Sequence, residues 1–373
     1  MNAFLSRISI FAVLTLASVS FAACSGNKAN LSGHIIMDVD TILVGYAYFT
    51  NDENYVTDTV VLAEDGYFEI CLPDTAVMAV TISTTAEWSD FAEVMIFPGD
   101  RVTVEGSIAD LKVSGTELYD SLNESGLLDM EKRLGAIEKE LLGIAYSGGD
   151  SAKRDSLARL YNASYSEFIA ACRNFIKENP ENMACAYAFT VLSSEECVEY
   201  YGLVGENVKN SPAGQVIEYY YNYAKEDLAA EETWNRLEPG VPAPDFRLKN
   251  LDGEYMTLDS FKGKYVLLDF WGTWCGWCIK GIPDMKAYYE KYKDKIEFVG
   301  IDCRDTEEEW REGVKKHELP WVNLYNGEDT GIVMAYGVQG YPSKVIIDPE
   351  GKVVQAFMGE SPELYDKLDE MFK

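Results

Sequence analysis

Three patterns predict a multidomain chain in which an all-β region is followed by a helical region and then by an α/β domain. Short β-branched and aromatic runs, separated by turn residues, fill residues 31–114. Apolar residues then recur at helical spacing over 117–234. Last, an apolar strand over 265–270 runs into Trp271-Gly272-Thr273-Trp274-Cys275-Gly276-Trp277-Cys278, and a helix-like segment over 278–292 follows. At about 150 residues per domain, 373 residues make two to three domains. An apolar content of 47% and a charged content of 25% are ordinary for globular proteins and argue against a disordered, collagen-like or polytopic membrane chain.

Charge narrows the partners. Acidic residues outnumber basic ones 62 to 32, a net charge of −30, which disfavours nucleic acid and anionic membrane surfaces as electrostatic partners. Residues 24–240 hold 37 acidic and 14 basic residues, net −23, and residues 241–373 hold 25 and 17, net −8. The acidity therefore belongs mainly to the first two regions and reads as a solubility feature.

The amino terminus reads as an export signal. Residues 1–7 carry one basic side chain, 8–19 are nearly all apolar, and 20–23 are small apart from Phe21, so 1–23 is expected to be a cleaved signal peptide. That run is shorter than the ~20 residues of a membrane-spanning helix, and no later stretch approaches that length without charges. The expectation is an exported protein of the periplasm or cell envelope without a transmembrane helix. Phe21-Ala22-Ala23-Cys24 is similar to a bacterial lipobox, which implies a lipid on Cys24 and a short tether over 25–30; ordinary cleavage within 20–23 is the alternative.

Strands are expected at 41–48, 55–62, 67–72, 79–83, 94–97 and 101–106, with Asp65-Gly66 as a hairpin turn and Pro98-Gly99-Asp100 as another turn. This region, 24–115, resembles the β-sandwich domain that precedes a thioredoxin domain in many exported lipoproteins. Over 116–235 helices are expected at 117–144, 151–178, 182–192 and 212–229, with Leu127, Leu134, Ile137, Leu141 and Ile144 along one face. Gly148-Gly149-Asp150 and Asn179-Pro180 end two of them. The helical region reads either as a packing platform or as a dimerisation or client-binding surface. Residues 238–243, with two prolines and a glycine, suit a linker to the last domain, 236–373.

The C-x-x-C pair carries the chemistry. A cysteine in the first turn of a helix meets unpaired N–H groups and the positive end of the helix dipole, both of which favour the thiolate. Free cysteine titrates near ~8.5 and C-x-x-C thiols in this setting fall to roughly 3.5–7.5, so Cys275 is expected to be the nucleophile. Cys278 lies one turn on and can close or open an internal disulfide without refolding. Half of a zinc site and a permanent structural disulfide are the competing readings. No second C-x-x-C or paired histidines accompany the pair, and His34 and His317 are the only histidines. No metal or organic cofactor is expected.

Residues 242–373 resemble the thioredoxin fold, a central mixed sheet flanked by helices, and within it the TlpA-like exported thiol-disulfide oxidoreductases. The resemblance rests on Asp269-Phe270-Trp271, the W-C-x-x-C core, Pro283 five residues after Cys278, Gly340-Tyr341-Pro342, the block 344–348 and the turn Pro349-Glu350-Gly351. It implies that Pro342 is cis and packs against the disulfide, leaving the backbone of Tyr341 to pair with an extended client strand. It also implies that Asp269 is a buried acid that moves a proton on or off Cys278. Trp274, Gly276, Trp277 and Tyr341 are the candidate client-binding residues, Trp271 a core residue, and Pro283 a kink in the helix. Two departures stand out. Trp277 replaces the proline or histidine common before the second cysteine, which leaves the potential open between ~−270 and ~−120 mV. Gly281 stands where many relatives serving cytochrome maturation carry glutamate, which argues against a haem-maturation role.

Other residues read as structural. Cys303 reads as a buried thiol with an extra redox role as its alternative, and Cys71, Cys172, Cys185 and Cys197 suit either core packing or disulfides. Glu307 to Glu309 suit the positive end of a helix, and His317 its far end. The reading is thiol-disulfide exchange with protein clients, reducing or isomerising in preference to oxidising, with an unidentified redox partner. The rivals are an envelope binding lipoprotein that uses the last domain as a scaffold, and a peroxiredoxin-like peroxidase. Against the latter, no Pro-x-x-x-Thr-x-x segment precedes Cys275, and Trp271 and Trp274 stand in that stretch.

Overall fold

The computed structural model describes residues 29–36, 39–49, 51–84, 91–147 and 151–373. The expected signal peptide, Cys24 and most of the tether lie outside these residues. The chain divides into two compact units between Lys225 and Glu226.

The first unit opens with β1 (Leu31–Ile35), β2 (Thr41–Tyr48), β3 (Asn51–Val61), β4 (Tyr67–Ile70), β5 (Met78–Ser83), β6 (Phe91–Ile96), β7 (Val102–Ser107) and β8 (Asp110–Ser114). They form two four-stranded sheets, β4-β1-β7-β8 and β3-β2-β5-β6. Alternate residues such as Ile42 and Val44 of one sheet and Phe68 and Ile70 of the other feed a single apolar core, the signature of a sandwich. The hairpin expected at Asp65-Gly66 is not one. The Gly66 N–H does close a turn onto the Ala63 carbonyl at 2.8 Å, but β3 pairs with β2 and β4 with β1. The turn signal specifies a chain reversal and leaves the pairing partner to whichever core face the next apolar residues fill.

Among the described residues seven helices follow: α1 (Glu117–Ser125), α2 (Leu127–Ser147), α3 (Ser151–Glu178), α4 (Cys185–Phe189), α5 (Ser194–Tyr201), α6 (Glu206–Lys209) and α7 (Pro212–Asn235). The helix expected over 117–144 is split at Gly126, whose φ of 74° ends α1 with its N–H on the Asn123 carbonyl. That left-handed conformation is cheap only without a Cβ. The helix expected over 182–192 shrinks to α4, and α5 was missed. Its signal was present, since Ser193 and Glu196 form a reciprocal capping box. Leu118, Leu122, Leu134, Phe168 and Ile176 of the helices join the same apolar cluster as the strands. The Met95 N–H of β6 also donates to the Tyr119 hydroxyl of α1 at 2.7 Å. The sandwich and these helices, as far as Lys225, are thus one body. Among the described residues, no helix is long and apolar enough to cross a membrane.

The second unit is built on a seven-stranded mixed sheet of β9 (Arg247–Asn250), β10 (Tyr255–Thr257), β11 (Tyr265–Trp271), β12 (Ile296–Asp302), β13 (Val322–Tyr325), β14 (Ser343–Ile347) and β15 (Val353–Met358), in the order β10-β9-β13-β12-β11-β14-β15. β12 runs parallel to β11 and β13, and the other pairs are antiparallel. Its helices are α8 (Gly276–Tyr292), α9 (Glu307–Lys316), α10 (Gly331–Ala335) and α11 (Pro362–Phe372). The central strand β11 is apolar on both faces. Val266, Leu268 and Phe270 enter one cluster, and Leu267 and Trp271 enter the other together with Cys275, Cys278, Leu364 and Leu368. This is the thioredoxin-like architecture. The segment read as a linker is stitched to the edge of the sheet: Gly240 N–H donates to Val353, Val353 N–H to Val241, and Ala243 N–H to Gly351, at 2.8 to 2.9 Å. Its two prolines lack donors, while the Val241 N–H closes a turn onto the Glu238 carbonyl at 3.1 Å.

Candidate active site

Because β11 and β12 are parallel, with Trp271 opposite Asp302, the turns that follow them leave one edge of the sheet. After Trp271 the chain turns into α8, and Cys275 takes the N-cap position. Its Sγ accepts the Cys278 N–H at 3.1 Å, the contact usually made by a capping oxygen. The two cysteines are joined in a disulfide with Cα atoms 5.2 Å apart. They are only 5% and 6% exposed, whereas Trp277 between them is 63% exposed.

The turn itself is clamped. Thr273 donates its N–H and its hydroxyl to the two carboxylate oxygens of buried Asp305, each at 2.7 Å. Neighbouring Asp302 is also buried, and burial, followed by the adjacent Asp305 carboxylate, pushes its pKa up to about 9. Asp302 therefore keeps its proton at neutral pH while Asp305 serves Thr273. Sequence reading passed over both, and the only trace is the acidic pair bracketing Cys303-Arg304 at the end of β12.

Trp274 donates its indole N–H to the Cys303 carbonyl at 2.9 Å and meets the Tyr341 ring edge-on with centroids 5.1 Å apart. The Tyr341–Pro342 bond is cis. The Pro342 carbonyl accepts the Gly359 N–H at 2.7 Å, and the Ser343 hydroxyl donates to the Gly340 carbonyl at 2.8 Å. Of the four expected client-binding residues, Trp274 and Tyr341 touch, while Gly276 and Trp277 are exposed on the first turn of α8. The Cys303 thiol is buried, and that burial pushes its pKa up to about 12. Cys172 and Cys185 of the first unit are likewise buried thiols pushed up to about 12.

Asp269 lies on the same face of β11 as Leu267 and Trp271, the face that shares a core with Cys275 and Cys278. Its cross-strand neighbour Lys344 brings Nζ to 3.5 Å from Asp269 and 2.9 Å from Glu360, and Tyr365 donates to the other Glu360 oxygen at 2.7 Å. Burial raises the Asp269 pKa, the Lys344 charge opposes that, and the Glu360 charge adds to it. Glu360 also explains Gly281. A Cβ at 281 would run into the Glu360 carboxylate, which the loop before α11 brings against the helix. Among the described residues, no cluster of three or more His, Cys, Asp or Glu could hold a metal ion.

Residues 239–356 match the AhpC/TSA family. Over 140 residues the chain is 38% identical to the thiol-disulfide oxidoreductase ResA of Bacillus thuringiensis subsp. konkukian, covering 37% of this chain and 79% of that one. It is 33% identical over 155 residues to the thioredoxin-like protein YneN of Bacillus subtilis, covering 40% of this chain and 86% of that one. A solved thioredoxin domain of a thiol-disulfide oxidoreductase from Bacteroides vulgatus is 29% identical with a TM-score of 0.34, covering 36% of this chain and 99% of that one. At 38% and 33% identity over 79% and 86% of the lengths of ResA and YneN, the chain belongs, through its C-terminal unit, to the thioredoxin-like thiol-disulfide oxidoreductases.

Proposed function

We propose that Cys275 and Cys278 are the redox pair of an exported enzyme that exchanges disulfides with protein clients, reducing or isomerising them in preference to oxidising them. The observation that carries this reading is the Cys275 sulfur at the N-cap of α8, where the first-turn amides and the helix dipole stabilise a thiolate. In the reducing direction the Cys275 thiolate attacks a client disulfide, forming a mixed disulfide and releasing one client thiolate. Cys278 then attacks the Cys275 sulfur, which closes the internal disulfide and releases the second client thiol. Two electrons pass to the client, and an external dithiol partner must return them. The burial of Asp269 on the α8 side of the sheet supports it as the base that takes the Cys278 proton. Trp274, Gly276, Trp277 and Tyr341 would receive the client, with Pro342 shaping the loop.

The direction rests on the resemblance to TlpA-like enzymes, and export with a lipid on Cys24 rests on the signal-like amino terminus. Loss of the protein from the membrane fraction in Cys24→Ala tests the anchor. For the exchange itself, Cys278→Ala should accumulate covalent client adducts on Cys275 under non-reducing conditions. An absence of adducts in every growth condition would favour the scaffold reading. The AhpC/TSA match gives one reason to assay peroxide, whose consumption at enzymatic rates would favour the peroxidase reading.

A further inference from the structure

We infer that this site selects clients whose reactive cysteine is flanked by acidic residues, through two cations mounted on its aromatic rim; the inference rests on the exchange reading above. Two indoles bracket Cys275 in sequence, and each carries a cation. The Arg304 guanidinium lies 5.5 Å from the centre of the Trp274 ring and 5.6 Å from that of Tyr341. The Lys280 ammonium lies 4.5 Å from the Trp277 ring centre. Stacking on an aromatic face orders these long side chains while leaving the charged heads in water. Arg304 also has a left-handed φ of 68° and donates its N–H to the Gly327 carbonyl at 2.7 Å, so its backbone is held in an uncommon conformation beside the rim.

Both cations are exposed, and among the described residues neither enters an ion pair. Elsewhere in this unit cations pair readily: Lys264 with Glu297, Lys291 with Asp369, Arg311 with Glu307, and Lys344 with Glu360. Two of the nearby carboxylates are committed elsewhere, Asp305 to Thr273 and Glu360 to Lys344 and Tyr365, and Glu328, in the loop that receives the Arg304 N–H, forms no ion pair with it. In a chain of net charge −30, two cations outside any ion pair stand on the aromatic residues that flank Cys275. A client segment laid along Tyr341 brings the residues flanking its cysteine to Arg304 and Lys280. A carboxylate there gains charge-assisted hydrogen bonds from the planar guanidinium, and a lysine meets like charge.

The test uses three disulfide-linked peptides identical except for Glu, Gln or Lys on both sides of the cysteine, reduced by the full-length dithiol protein at low and high ionic strength. Each rate is divided by that of dithiothreitol with the same peptide, which removes the effect of the flanking charges on the leaving thiol. The glutamate peptide should react at least ~5-fold faster than the glutamine peptide and the lysine peptide slower still, with the spread shrinking at high salt. Replacing Arg304→Ala and Lys280→Ala together should collapse the spread, and Arg304→Glu should invert it. The ratio between peptides is the readout, because removing a cation changes the sulfur's reactivity toward all three. Equal normalised rates with the unaltered protein, or a spread that survives the double replacement, would overturn the inference while leaving exchange intact. Failure to reduce any of the three would instead overturn the proposed function.

Discussion

Neighbouring parallel strands β11 and β12 end at one edge of the sheet, and each is followed by a cysteine, yet the two sulfurs sit in opposite chemical settings. Cys275 caps α8, accepts a first-turn N–H and is bonded to Cys278. Cys303 lies fully buried beside Tyr341 with its pKa pushed up to about 12, and the helix that follows it, α9, is capped by Thr306 and Glu309 instead. Depth does not separate them, since Cys275 is itself only 5% exposed. What separates them is which residue the turn delivers to the helix start. The Asp305 clamp on Thr273 fixes that delivery for Cys275.

The contrast breaks most sharply by substitution. Cys275→Ser should cost at least ~100-fold in the rate of peptide disulfide reduction, and Cys303→Ser should stay within ~2-fold of the unaltered protein. Similar losses in both would erase the distinction. Next in size is Asp269→Asn, which should slow decay of the mixed disulfide by ~10-fold or more. In the unaltered protein that decay should accelerate with pH as Asp269 ionises, above the ordinary carboxylate range because burial raises its pKa, and the variant should lack this limb. Stopped-flow traces across pH would show it.

The helix that carries the pair offers a finer test. Gly281→Ala drives a Cβ into the Glu360 carboxylate, which Lys344 and Tyr365 hold, and should destabilise the unit by about 1 kcal/mol in urea, whereas a Cβ at Gly276 meets nothing and Gly276→Ala should be close to neutral. A last effect belongs to Asp302 and is read from its pH dependence. Folded, it holds its proton up to about pH 9; unfolded, it releases it near ~4, so the folded state binds the extra proton in between. Stability should therefore fall as pH rises through that window, by at most ~1.4 kcal/mol per unit, and Asp302→Asn should flatten the dependence of Tm on pH.

The parts of the site that sequence exposed are those written locally. A W-C-x-x-C segment between an apolar strand and a helical period identifies the turn, and Gly340-Tyr341-Pro342 marks the loop that meets Trp274. Glu360 and Asp305 were invisible because their meaning lies in partners 16 and 32 residues away, Lys344 and Thr273. Even Gly281, singled out as a departure, shows its reason only when Glu360 is seen against it. The first unit teaches the same lesson. Apolar stripes in the helices announced burial without saying against what, so one shared core read as two regions, and Asp65-Gly66 announced a turn without naming the sheets that it joins.

The most direct measurement is the alkylation of the reduced protein by iodoacetamide as a function of pH, resolved by residue. Cys275 should react with an apparent pKa clearly below the ~8.5 of a free thiol, and faster at neutral pH than glutathione, while Cys303 stays unlabelled. A Cys275 that follows the rate and pH profile of glutathione would contradict the claim that the helix start makes it a nucleophile.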